Sequence, residues 1–120
     1  MGCEMVKPEF DWGKDFDEYL ESLSLKDEAK IRALIDRIEN NELQDSIRKD
    51  RVKKLNDTIY EIRAQTDEDW LRGCYFQIKG THYYITHGFN KKTNKTPNRE
   101  ISRAEKIRQD FLSQNRRNEK

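Results

Sequence analysis

Cysteine, proline and histidine are scarce in this chain, and long apolar runs are missing altogether. Its 120 residues hold two cysteines, Cys3 and Cys74. They form neither a disulfide framework nor a metal-ligand spacing, which suits a reducing cytosol. The two histidines, His82 and His87, are too few for a metal cluster unless carboxylates help, so neither metal nor other cofactor is expected. No apolar stretch approaches ~18 residues, so no segment is expected to span a membrane. The start, MGCEMVKPEF, lacks a secretory hydrophobic region, and a cytoplasmic location follows as the expectation. Four catalytic signatures are also missing: the GxxxxGK[ST] phosphate loop, the GxGxxG dinucleotide fingerprint, HExxH and the GxSxG elbow. Nucleotide hydrolysis and zinc proteolysis therefore have no foothold.

What is present is charge. Asp, Glu, Lys and Arg make up 39% of residues against 33% apolar ones, so the core must be small and the surface heavily charged. The net charge of +1 hides a polarity. Residues 1–50 carry 8 Lys/Arg against 14 Asp/Glu, or −6; residues 51–120 carry 16 against 9, or +7. A basic half of this kind keeps a polyanionic partner open despite the neutral total.

The length fits one domain over residues 1–120, with frayed ends at 1–8 and 113–120. Trp12, Phe16, Tyr19, Leu20 and Leu23 recur at helical spacing and mark one face of a first helix. Ser24 is placed to cap a second, with Asp27 three positions on, and Ile31, Leu34, Ile35 and Ile38 form its stripe. Asn40 and Asn41 tolerate left-handed geometry and are the expected stop. The two helices read as a hairpin. Residues 42–57 read as a linker approaching a sheet, with Val52 and Leu55 as anchors.

From Thr58 the period changes to two. TIYEIRA, WLRGCYFQIKG and HYYITHGF read as three strands of an antiparallel meander, joined by QTDED and by a short turn at Lys79-Gly80-Thr81. Thr96-Pro97 reads as an N-cap followed by proline at the first helical position, and Ile101, Ala104, Ile107 and Phe111 supply the last helix with a buried stripe. The expected fold is α+β: an N-terminal helical hairpin, a small twisted antiparallel sheet and a C-terminal helix.

The chemistry-bearing residues are basic and aromatic. Arg63 ends the first predicted strand, Arg72 opens the second, and Lys91, Lys92 and Lys95 follow the third. Tyr60, Tyr75, Tyr83, Tyr84 and Phe89 are interleaved with them. Cations beside aromatic platforms suit RNA, because phosphates take the charge and unstacked bases take the rings. The same arginines are equally suited to a structural ion network with Glu61, Asp67, Glu68 or Asp69. Alternation puts Arg72 on one face with Trp70, Cys74 and Phe76, which requires that face to be open near residue 72 or a bulge near Gly73 to re-aim the side chain.

Three stretches in this order, VKKLNDTIYEIR, LRGCYF and HGFNKKTNKTPNREISRAEKIR, resemble the phage-derived, HigB-like branch of the RelE/ParE toxin superfamily. The likeness runs from about Val52 to Phe111. It implies a RelE/ParE-like fold and a toxin paired with a cognate helix-turn-helix, HigA-like antitoxin. It further implies ribosome-dependent cleavage of mRNA, with Arg63, Arg72, Lys91, Lys92 and Lys95 at positions matching the superfamily's basic motifs. Many relatives carry a tyrosine near the end of the last helix; Phe111 lies in that region here and has no hydroxyl for proton transfer.

Metal-free RNA cleavage needs a base for the 2′-hydroxyl, cations on the developing phosphorane and an acid for the leaving oxygen. On this expectation Arg72 stabilises the transition state, Arg63 positions a phosphate, and Lys91 or Lys92 adds charge and moves a proton. Lys95, Tyr60 and Phe89 bind RNA, and His87 and Glu61 are candidate bases. Two other classes fit the sequence: a ParE-like toxin of DNA gyrase, and a phage-derived module that binds RNA or a partner without cutting.

Overall fold

The computed structural model describes residues 8–40, 51–92 and 95–118. The chain opens with strand β1 (Glu9–Trp12), then helices α1 (Lys14–Ser22) and α2 (Leu25–Asn40). Strands β2 (Val52–Lys54), β3 (Tyr60–Gln65), β4 (Trp70–Lys79) and β5 (His82–Lys91) follow, and helix α3 (Asn98–Asn118) closes the described chain. The fold class is α+β, as expected.

The sheet departs from the expected three-stranded meander. It has five strands in the order β1-β5-β4-β3-β2. The central β3-β4-β5 meander is antiparallel as read from the period-two stretches. β2 adds an antiparallel edge through Val52↔Ile62, and β1 adds a parallel one through Glu9↔His82. Trp12, expected on the first helix, is therefore a strand residue. The reason is local: Phe10 is buried while Glu9 and Asp11 are exposed, a short alternation that ends at Gly13. The Phe10 N–H also donates to the Glu39 carboxylate (2.8 Å), tying this edge to α2.

The two expected helices form, the first without Trp12 and both preceded by β1. Phe16 and Leu20 bury the inner face of α1, and Ile31, Leu34, Ile35 and Ile38 that of α2. The Ser24 hydroxyl accepts from the Asp27 N–H (3.1 Å), satisfying one of the amide groups that every helix start leaves bare. Asn40 is the last described residue of α2; Asn41 and residues 42–50 of the expected linker lie outside the described residues, as do residues 1–7 of the expected frayed start. At the other end, α3 continues through Asn118.

The two faces of the sheet are covered differently. Under α1 and α2, Phe16, Leu20, Ile31, Ile62, Leu71, Tyr75 and Ile85 make an apolar core. Each such side chain is worth roughly 1.5–3 kcal/mol of transfer free energy. Under α3, a smaller cluster of Ile59, Cys74, Phe76 and Ala104 borders a set of buried charges. Tyr83 packs on the first cluster and Tyr84 on the second.

Neither expected remedy for Arg72 is used. It stays on the face of Cys74 and Phe76, and it is fully buried there. The register slip falls one residue past Gly73, between Cys74 and Tyr75: Cys74 pairs with His87 and Tyr75 with Ile85, leaving Thr86 as the extra residue of β5. That bulge switches the parity of β5. Ile85 faces α1 and α2, whereas His87 and Phe89 join Arg72 beneath α3.

Candidate nucleic-acid interface

Pairing across β3, β4 and β5 brings Arg63 opposite Arg72, Glu61 opposite Cys74, and Phe89 opposite Arg72. All of these side chains point to the α3 face. Two guanidiniums without an anion would be prohibitively costly there, and Glu61 supplies the anion. Its Oε1 lies 3.0 Å from Arg63 Nε and 3.7 Å from Arg72 Nη1. Its Oε2 accepts a 2.6 Å hydrogen bond from the Thr96 hydroxyl, and the Thr96 oxygen in turn accepts from Arg72 Nη1 (3.3 Å). Of this group, Glu61 and Arg72 are 0% exposed, Arg63 4% and Thr96 6%. Burial weakens the hold of the Arg72 guanidinium on its proton, and Glu61 opposes that shift.

Thr96 is thus not the N-cap that its place before Pro97 suggests. Its hydroxyl is committed to Glu61, and the first turn of α3 instead uses the Pro97 carbonyl, which accepts from the Glu100 N–H (3.0 Å). The Thr96 hydroxyl joins the start of α3 to the charged cluster on the sheet.

His87 is held at both ring nitrogens. Nε2 lies 2.9 Å from Glu100 Oε1 and Nδ1 2.9 Å from Thr86 Oγ1. With a neutral ring, Nε2–H donates to the carboxylate and the Thr86 hydroxyl shares its proton between Nδ1 and the Cys74 carbonyl (3.2 Å). Burial lowers the imidazole pKa below its ordinary value, and the Glu100 hydrogen bond partly restores it. Cys74 beside it is buried and free of any disulfide, and its thiol is pushed far up by burial, so it holds its proton.

The predicted site residues divide into three groups. Arg63, Arg72, Glu61, His87 and Phe89 share one face, with the Arg72 guanidinium 6.0 Å from the Phe89 ring centroid. Lys91 pairs with Trp70 at the end of β5 and is half-buried; Lys92 and Lys95 are exposed. Tyr60 is on the opposite face, stacked on Tyr75 at 5.5 Å between ring centroids, and is not brought to the cluster. Phe111 packs on Phe76 and Tyr84 (5.6 and 4.5 Å between centroids) as part of the core under α3.

Three residues here escaped the sequence reading. Lys53 and Lys54 lie on the short β2 strand and, with Lys95 and Thr96, line a pocket of about 320 Å³. Lysines of two distant stretches therefore border one pocket with Thr96 of the buried cluster. The third is Glu100, the partner of His87. Its position in the first turn of α3 was readable, but its pairing was not. Among the described residues no group of His, Cys, Asp and Glu could hold a metal ion, and no helix is long and apolar enough to cross a membrane.

What the arrangement offers chemically is a buried guanidinium pair bridged by the Glu61 carboxylate, with the exposed Lys53, Lys54 and Lys95 bordering the adjoining pocket. That combination suits a phosphodiester more than a neutral substrate. Compared with known proteins, the chain matches the family described as "Phage derived protein Gp49-like (DUF891)" over residues 18–109. That span runs from within α1 into α3 and contains the whole cluster. No curated protein matches the chain.

Proposed function

Because the chain belongs to the phage-derived Gp49-like family, a RelE/HigB-like toxin family, we propose that it is the toxin of a type II toxin–antitoxin pair that acts in the cytoplasm as a ribosome-dependent mRNA endoribonuclease. The observation that carries this reading is the Arg63–Glu61–Arg72 cluster with Lys53, Lys54 and Lys95 grouped around Thr96. The exposed lysines take the phosphate backbone. Arg72 meets the scissile phosphate and stabilises the charge that develops on it, while Arg63 positions a neighbouring phosphate. Arg72 is fully buried in the structure, so its contact with a phosphate requires the cover over the guanidinium to open. Lys91 and Lys92 are the candidates for proton transfer at the edge; Glu61 and His87 are candidate bases only once their present partners release them. The partner is a helix-turn-helix antitoxin.

Burial of both arginines favours a second reading, an RNA-binding module that does not cut. Primer extension on a translated message with ribosomes present separates the two. The endoribonuclease gives codon-phased cuts, and Arg72→Ala lowers the cutting rate by about 10²–10³ while its circular dichroism stays that of the wild type. RNA binding without cuts selects the second reading. Gyrase-linked DNA breaks overturn both in favour of a ParE-like target.

A further inference from the structure

A second cleft, larger than the Thr96 pocket, lies round the edge of the sheet. It has a volume of about 520 Å³ and lies between α2 and the end of β3, beyond the last residue that β2 pairs. Lys30 and Arg37 line it from α2, Arg51 and Arg63 from the sheet edge, and Gln65 and Trp70 from the β3–β4 end. No described residue lining it is a carboxylate. Among the described residues, no ion pair engages Lys30, Arg37 or Arg51, although Lys30 also borders a neighbouring depression that contains Asp67, Glu68 and Asp69.

We propose that this cleft binds the backbone and one base of a single-stranded RNA, as an entry groove leading to the arginine cluster; the inference rests on the RNA reading above. The spacing supports an extended polyanion over a single ion. Lys30 and Arg37 are seven residues apart on one helix, about 10 Å along its axis, with the apolar Ala33 and Leu34 between them. Trp70 is half-buried and already carries the Arg63 guanidinium at 5.3 Å from its ring centroid, so its remaining exposed surface offers an aromatic platform next to a cation. The Gln65 amide is exposed and supplies both a donor and acceptors for a base edge. Continuity decides between RNA and an acidic protein segment. Arg63 lines the cleft and also pairs with Glu61, and it lies directly opposite Arg72 in the ladder. A strand leaving the cleft past Arg63 reaches the Arg72 position in one strand spacing, about 4.8 Å.

The test uses the full chain and a fluorescein-labelled 12-nucleotide single-stranded RNA, read by anisotropy over a salt series. The Lys30→Glu/Arg37→Glu double variant is compared with Lys79→Glu/Lys106→Glu, which makes the same charge change at exposed positions away from the cleft. The cleft variant is expected to bind about tenfold or more weakly, with the slope of log K against log salt shallower by about 1.4, the share of two phosphates on a single strand. The control variant keeps both values near wild type. Equal losses in the two variants overturn the cleft and leave only a general charge effect. Wild-type binding that neither variant disturbs, alongside codon-phased cutting, overturns the cleft and leaves the proposed function standing. No RNA binding by the wild type, with a glutamate-rich peptide held in the cleft instead, overturns the cleft as an RNA groove and makes it a protein-docking surface. Cleft-dependent binding without any cutting supports the groove and overturns the endoribonuclease reading alone.

Discussion

The two faces of one sheet are built from alternate residues of the same three strands, yet they solve burial in opposite ways. Facing α1 and α2, Ile62, Leu71, Tyr75 and Ile85 meet helix side chains that are almost entirely apolar. Facing α3, Glu61, Arg63, Arg72 and His87 are also buried; Glu61 is matched to the two arginines by charge, and His87 is hydrogen-bonded to Glu100 and Thr86. The apolar face gains from every methylene removed from water. The charged face must first recover several kcal/mol of desolvation per ion, and well-packed apolar side chains often do as well or better in its place. Folding alone gives no reason to keep such a cluster on one face only. The proposed phosphate-binding role would supply one.

Glu61 is the place where that comparison is most easily broken. Glu61→Ala leaves two buried guanidiniums without their shared anion and is expected to cost about 3–5 kcal/mol in urea denaturation. A loss under about 1 kcal/mol would mean that the arginines find other compensation and that the charged face is not held together by this carboxylate. The triple variant Glu61→Leu/Arg63→Met/Arg72→Leu sharpens the point. It is expected to be neutral or stabilised by up to about 4 kcal/mol, and to lose cleavage and RNA affinity together.

Gly88 probes the apolar side. It pairs with Gly73 across β4 and β5, and the two bare backbones form the floor on which Phe16 and Tyr19 of α1 rest. A Cβ on Gly88 would run into the Tyr19 ring, whereas one on Gly73 would meet Phe16 and Ile85 at 3.3 and 3.4 Å. Tyr19 is further pinned through its hydroxyl to the Asn90 side chain (2.5 Å). Gly88→Ala is therefore expected to destabilise by about 1–3 kcal/mol, and Gly73→Ala by less. Equal effects, measured as shifts in the denaturation midpoint, would show that Tyr19 swings aside freely.

The features that the sequence made legible were local and repetitive. The α2 stripe, the Ser24 cap and the β4–β5 turn, with Gly80 at φ 59°, could be read because each is decided by residues within one or two turns. β1 and β2 could not. Four and three residues carry too little period to stand out, and β1 pairs with β5 more than seventy positions away. The candidate site behaved likewise. Arg72 was placed on its correct face by alternation, but its neutralisation depends on Glu61 from the adjacent strand and Thr96 from beyond β5. The HGF segment read as a strand end near a basic loop. The Thr86 bulge that turns His87 toward Glu100 leaves no mark in the local sequence.

The smallest effect expected concerns that histidine, and its sign follows from burial. His87 has a lower pKa folded than unfolded, so below about pH 6.5, the ordinary value, the unfolded chain binds a proton that the native chain does not. Stability that is fully present above that pH is lost as pH falls toward the lowered native value, at no more than about 1.4 kcal/mol per pH unit from this one group. The window to examine runs from pH 7 down to 5. His87→Gln keeps a donor near Glu100 and removes the titration. It is expected to flatten the dependence of unfolding free energy on pH in that window, at a cost at neutral pH set by the lost Phe89 stacking (5.9 Å between ring centroids). An unchanged slope would place the acid sensitivity elsewhere on the charged face. A slope of opposite sign in the wild type would mean that Glu100 holds the imidazolium in the folded state, so that this pair is a second buried ion pair beside Glu61 and its arginines.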